Sequence, residues 1–356
     1  MKNILIKIIS IIFFVLILGI GITNLLSLKL SLSILLIIGL IFIFKKLPPK
    51  IFIIVAFLLG VIARIYLILE LKFNLQSDFL LYYESASDIL KGTLNNSYLS
   101  YNGYVYVYSS ILSILFKIFG ESTYTAIIFN FLIQLLTTFV LYKTLCLSKE
   151  KITALKWSSI YFILPNVILA NFLISTETLF LLFLSLSIYL LLRITDDTKK
   201  YYFILLGFVI SVANNIRPVM LIFILALIIY FLLQKKFIPL IIVLITYFFT
   251  NFLFNIYIEN GINYKTVDGA LEWSIYYGSN VNTCGAWSED DSHIVAEAFN
   301  NFDNPANKIL NKAINRYENN GIDNIKLIGC KFYKLWSDSA SNLNFVNLVG
   351  KSTTLI

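Results

Sequence analysis

The chain has 356 residues, of which 58% are hydrophobic and only 13% charged, and its formal net charge is +8. A soluble domain carries about 25% charged residues, and a mean hydropathy of +0.81 leaves too little polar surface to cover this chain in water, which excludes a soluble globular protein. The basic residues sit at the ends of apolar runs, so they read as topology signals and not as a nucleic-acid footprint.

With lipid as solvent the backbone must satisfy itself, in helices or in a closed barrel. The apolar runs are long and unbroken, without period-two alternation, and this selects helices. A span needs about 20 apolar residues. Taken in chain order, nine runs meet or approach that length: 4–26, 28–44, 51–71, 123–146, 152–170, 172–193, 201–215, 219–233 and 237–258. Lys2 and Lys7 give the first run the charge pattern of a signal peptide, but no A-x-A-like site follows, so it is expected to be a retained helix. Between the third and fourth runs, 103–120 is apolar with a polar stripe. Ser109, Ser113 and Lys117 recur every four residues, with Ser110 beside them, and therefore share one helical face. That pattern predicts a helix lying in the membrane interface.

Orientation follows from Lys and Arg. With the N-terminus inside and 103–120 left out of the crossings, the inner side holds Lys2, Lys7, Lys45, Lys46, Lys50, Lys143, Lys149, Lys151, Lys156, Arg193, Lys199, Lys200, Lys235 and Lys236. The short outer loops hold only Lys29, Lys72, Lys91, Lys117 and Arg217. Two segments then face outward: the loop 72–122 and the stretch from Glu259 on, which is polar and Asn-rich. Asn304-Pro305 is a good helix start, and Ile309, Leu310, Ala313, Ile314 and Tyr317 after it fit one helix face. The expected organisation is an all-α polytopic membrane module over 1–258, followed by a small, mainly helical outer segment over 259–356.

Candidate chemistry is sparse. Cys146, Cys284 and Cys330 lie far apart with no metal spacing, and the single histidine, His293, leaves little for a zinc or copper site. No metal site is assigned, and a divalent-metal requirement stays open. Charges inside a membrane cost roughly 2.5–3.5 kcal/mol each, which singles out Arg64, Glu70, Glu177 and the boundary residue Arg217, all at the outer side on this topology. Asp78 follows in the first outer loop. Each has two readings. Asp78 is a general base or a helix N-cap. Glu177 is functional or an ordinary dipole partner at a helix start. Arg217, before Pro218, binds phosphate or marks a boundary. Arg64 calls for an anionic partner, a protein carboxylate or a lipid phosphate, while Glu70 fits an interfacial side chain.

The order of these residues resembles a known family. Asp78-x-x-x-Tyr82 with Ala86, Phe119-Gly120 closing the interfacial helix, the Gly120-Glu121-Ser122 turn, Pro165, Glu177 and Arg217-Pro218 are similar to the GT-C membrane glycosyltransferases. The likeness is to the glycosyltransferase family 39 and RgtA/B/C/D-like group, related to protein O-mannosyltransferases, and it runs from about Arg64 to Lys236. Tyr277-Gly278-Ser279-Asn280, Gly285 to Asp290 and Lys331 to Trp336 are similar to an outer segment of firmicute members. The resemblance implies a GT-C-like bundle in a bacterial plasma membrane and a polyprenyl-phosphate sugar as donor. The acceptor would be a cell-envelope glycan, lipid or protein. It makes Asp78 the base for the acceptor hydroxyl and Arg217 and Arg64 the cations for the donor phosphate. Glu177 would orient the acceptor or Asp78, and Tyr82, Tyr277, Asn280 and Trp287 would contact sugar or acceptor. Relatives usually carry further spans after this outer segment, so a shortened member is expected.

Three other readings compete. A lipid-linked polysaccharide polymerase or ligase calls for Arg-rich outer loops. A transporter calls for inverted repeats and broken midplane helices, whereas no internal repeat is visible here. A non-catalytic shortened homologue is the third. Cys284 and Cys330 both face outward on this topology and are able to pair.

Overall fold

The computed structural model describes residues 47–73, 75–194, 199–266, 270–301, 305–337 and 346–348. The expected spans 4–26 and 28–44, and Asn304, lie outside the described residues. The chain divides into two compact units, one built on 48–267 and the other on 268–341.

In the first unit, α1 (Pro49–Glu70) leads to a three-residue strand, β1 (Leu71–Phe73). It pairs antiparallel with β2 (Val346–Leu348), and all other regular structure among the described residues is helical. There follow α2 (Asp78–Lys91), α3 (Gly103–Phe119), α4 (Thr123–Leu145), α5 (Lys151–Ile163), α6 (Pro165–Ala170), α7 (Thr176–Arg193), α8 (Tyr201–Ile216), α9 (Met220–Leu233) and α10 (Phe237–Ile262). Among the described residues α1, α4, α7 and α10 are long and apolar enough to cross a membrane, and α3, α8 and α9 are shorter apolar helices. The protein is an all-α polytopic membrane protein.

The expected span 152–170 is not one helix. Pro165 removes a backbone donor and drives the residue before it out of the helical region. Leu164 accordingly sits extended, at φ −60° and ψ 131°, and α5 ends there. The irregular stretch after α6 delays α7 to Thr176, four residues later than the apolar run suggested. Phe172, Leu173, Ile174 and Ser175 in that stretch are buried, so their backbone needs partners inside the protein. Side chains of α4 provide them. Asn130 donates from Nδ2 to the carbonyls of Asn171 (3.2 Å) and Leu173 (2.8 Å), and Gln134 donates from Nε2 to that of Val167 (2.7 Å).

The serine stripe of α3 turns inward. Ser109, Ser110 and Ser113 are buried, while Ile114, Ile118 and Phe119 are exposed. Ser109 donates to the Tyr82 carbonyl of α2 (3.1 Å) and Ser110 to the Tyr106 carbonyl (2.7 Å). A serine whose hydroxyl closes on a carbonyl is small and satisfied, so helices approach closely over it. Gly207 does the same for α8 against α10: a Cβ there would stand 2.5 Å from the Val243 carbonyl oxygen. Asn215 and Asn251 hydrogen-bond across that pair at 2.6 Å.

The second unit comprises α11 (Ala270–Gly278), α12 (Glu289–Asn301), α13 (Pro305–Asn320) and α14 (Asp323–Ser337). Its small core is Tyr276, Val295, Ala298, Ile309 and Ala313, whereas Ile314 of the expected face is exposed. Asp291 is buried against Arg316 at 2.8 Å. Burial works to raise the Asp291 carboxyl, but hydrogen bonds from Arg316 and Asn280 and the Arg316 charge together hold it below its usual value. Cys284 and Cys330 form a disulfide with their Cα atoms 5.5 Å apart.

Candidate active site

Three helix ends meet in the first unit. Asp78 is the first residue of α2, Thr176 and Glu177 open α7, and Arg217 follows the last residue of α8. The pre-proline position holds Arg217 extended, at φ −154° and ψ 116°. That backbone turns the side chain out of the helix line, where its Nη1 pairs with Glu177 Oε1 and donates to Thr176 Oγ1 at 3.2 Å. Among the described residues Nε and Nη2 have no protein partner. The pair stays accessible, with the Arg217 side chain 37% and the Glu177 side chain 49% exposed.

Asp78 belongs to the same cluster. It is open to solvent on one side, yet enough protein surrounds it that loss of solvation raises its carboxyl above the usual value. The Glu177 charge adds to the rise and Arg217 partly offsets it. The arrangement is therefore a carboxylate with a strengthened hold on a proton, within electrostatic reach of a guanidinium that has three N–H groups unspent among the described residues.

Tyr82 is turned into the protein. It lies one turn below Asp78 and is only 4% exposed, its ring edge-on to Tyr108 at 5.1 Å. Burial pushes its hydroxyl well above the usual phenol value, and the neighbouring Thr176 side chain works in the opposite direction. The expectation of a sugar contact at Tyr82 is corrected on this ground: a buried ring offers no face to a sugar.

Arg64 is also corrected as a phosphate ligand. It is 2% exposed and all five of its N–H groups are spent on neutral acceptors. Nε and Nη2 reach Gln134 Oε1 (3.2 and 2.8 Å), Nη1 and Nη2 reach the Phe162 carbonyl (3.2 and 3.1 Å), and Nη1 also reaches the Gly60 carbonyl (2.9 Å). The guanidinium carbon lies 4.2 Å from the Phe162 ring centroid. The anion expected there is replaced by amide and carbonyl dipoles and an aromatic face.

The remaining expected contacts belong to the second unit. Asn280 is committed within it, donating to Asp291 Oδ2 at 2.8 Å and accepting the Asn282 backbone N–H at 3.0 Å. Tyr277 is half-buried. Trp287 is 66% exposed.

Sequence reasoning missed Thr176, Tyr104 and the α4 amides. Tyr104 of α3 lies within electrostatic reach of Asp78, Arg217 and Glu177. Asn130 and Gln134 did carry a signal: two amides four residues apart inside an apolar span share a helix face and need partners there. Thr176 carried none, being one hydroxyl beside a carboxylate.

Residues 106–257 match the family model described as dolichyl-phosphate-mannose-protein mannosyltransferase. The match takes in Thr176, Glu177 and Arg217 and begins after Asp78 and Tyr82. No curated protein and no solved structure matches the chain.

Proposed function

We infer that this chain is a membrane glycosyltransferase of the GT-C type, a reading supported by the family match over residues 106–257, and that it moves a sugar from a polyprenyl-phosphate donor to a hydroxyl on the outer side of the membrane. The observation that carries this reading is the convergence of Asp78, Glu177 and Arg217 from three separate helix ends.

In the reaction the acceptor oxygen attacks the anomeric carbon while Asp78 takes the hydroxyl proton. The bond from the anomeric carbon to the phosphate oxygen breaks, and polyprenyl phosphate leaves with the electron pair. A base is most effective when its affinity for the proton approaches the operating pH. The rise at Asp78 moves in that direction. The unspent Nε and Nη2 groups of Arg217 suit the phosphate, where negative charge grows in the transition state. Glu177 holds Arg217 from the opposite side.

The bias of Lys and Arg toward the other loops supports an outer location for this site. The N-terminus is then cytoplasmic, and the acceptor is a cell-envelope glycan, lipid or protein. The reading is tested with purified protein in proteoliposomes, offered radiolabelled polyprenyl-phosphate sugars or the matching nucleotide sugars with envelope acceptors. Transfer from the lipid-linked donors alone is expected. Transfer from nucleotide sugars without any lipid carrier would overturn the donor assignment.

A further inference from the structure

The proposed reaction needs Arg217 to present two of its three nitrogens to the phosphate. A solvent-facing arginine has many rotamers, and an ion pair to a half-exposed carboxylate restrains it weakly. The first unit carries a second restraint. Thr176 Oγ1 accepts from the same Nη1 that pairs with Glu177, at 3.2 Å. Thr176 is 0% exposed, so this hydroxyl sits on the protein side of the guanidinium. With Nη1 held by consecutive residues at the start of α7, Nε and Nη2 are left on the open side.

Tyr82 neighbours Thr176 closely enough for the Thr176 side chain to act on its hydroxyl. Tyr82 is 4% exposed and packs edge-on to the fully buried Tyr108, and its carbonyl accepts from Ser109. It lies on the helix that begins with Asp78. The buried Tyr82 of the base-bearing helix thus neighbours Thr176, and Thr176 accepts from the Arg217 guanidinium. Neither hydroxyl touches the open rim, and a core threonine needs no such neighbour for packing alone.

We propose that Thr176, backed by Tyr82, is the positioning residue that fixes the Arg217 guanidinium beside Asp78 with Nε and Nη2 turned to the substrate phosphate. The proposal rests on the glycosyltransferase reading of this site. It separates Thr176 from Asp78 and Arg217, which touch the reacting groups.

The test compares Thr176→Val, which keeps the shape and removes the hydroxyl, with Thr176→Ser, which keeps the hydroxyl. For lipid-linked donor, Thr176→Val is expected to lower kcat/KM about 10-fold, while Thr176→Ser stays within about 2-fold of wild type. A second readout is the pH profile. Asp78 is faced by Glu177 from α7, by Arg217 after α8, by Tyr82 of its own helix and by Tyr104 of α3. Arg217 lowers the Asp78 proton affinity, so a guanidinium that swings away lets it rise. The acid limb of kcat/KM then moves to higher pH in Thr176→Val and not in Thr176→Ser.

Equal losses in both variants with an unmoved acid limb would show a packing role and overturn the proposal. So would a Thr176→Val enzyme equal to wild type while Asp78→Asn is inactive. Should wild type itself transfer nothing, the glycosyltransferase reading falls, and the restraint is decided by phenylglyoxal modification of Arg217, followed by peptide mass spectrometry. Several-fold faster modification in Thr176→Val than in wild type and Thr176→Ser supports the restraint, and equal rates overturn it.

Discussion

Two arginines of the first unit divide its labour. Arg64 lies in α1, is sealed from solvent, and spends all five N–H groups on one side-chain amide and two backbone carbonyls. Arg217 lies at a helix break, is half open, and spends one nitrogen on Glu177 and Thr176. Both are costly in a membrane, and cost alone does not say which one acts. The count of unspent donors does. A saturated guanidinium is a structural bracket, here bridging α1, α4 and the end of α5. An unsaturated one is able to bind. A separate amide of α4 serves the site: Asn130 holds the irregular chain before α7, and that chain delivers Thr176 and Glu177 to Arg217.

The sharpest way to break this comparison is to exchange the two losses. Arg64→Met leaves the Phe162 carbonyl and Gln134 Oε1 buried with fewer donors, at about 1–3 kcal/mol per unsatisfied group. The expected result is a large fall in thermal stability in detergent, with transfer per folded molecule little changed. Arg217→Gln should do the reverse, lowering kcat about 100-fold, as loss of one charge-stabilising donor does, with the unfolding temperature near wild type. If Arg64→Met selectively removed donor binding, the bracket assignment would be wrong.

Glu177→Gln is the finer test, with a smaller expected effect. The Glu177 charge raises the Asp78 proton affinity. Removing it lowers that affinity, so Asp78 stays deprotonated to lower pH. The acid limb of kcat/KM should shift downward while the maximal rate changes less than about 10-fold. A shift upward would mean that Glu177 acts on Asp78 mainly by positioning Arg217.

Hydropathy located most of the frame. The helices α1, α4, α8, α9 and α10 lie within a few residues of the apolar runs, because their apolar side chains and their helical backbone agree. The region 152–193 is where the two part. A hydropathy sum counts 164–175 as apolar, but Pro165 interrupts the ladder, and the backbone that follows leans on amides from α4. Pro165 and those paired polar side chains were the signals of the break. The site was legible as depth and not as adjacency. Charge placement put Asp78, Glu177 and Arg217 on one side of the membrane, but which helix ends adjoin depends on packing that no local pattern specifies. For Arg64 the need for partners was legible, while their identity as neutral dipoles was not. The serine stripe of α3 was legible as a shared face but not as a packing surface. Periodicity shows that polar residues share a face, and says nothing of whether that face meets water or another helix.

The most direct test of the central claim is sugar transfer by Asp78→Asn against wild type, at equal expression, from a radiolabelled polyprenyl-phosphate sugar in membrane vesicles. Asparagine keeps the size of the side chain and removes its basicity. The account predicts a fall of at least about 100-fold, within the range a positioned base contributes. Equal transfer by both proteins would contradict it and remove Asp78 from the chemistry.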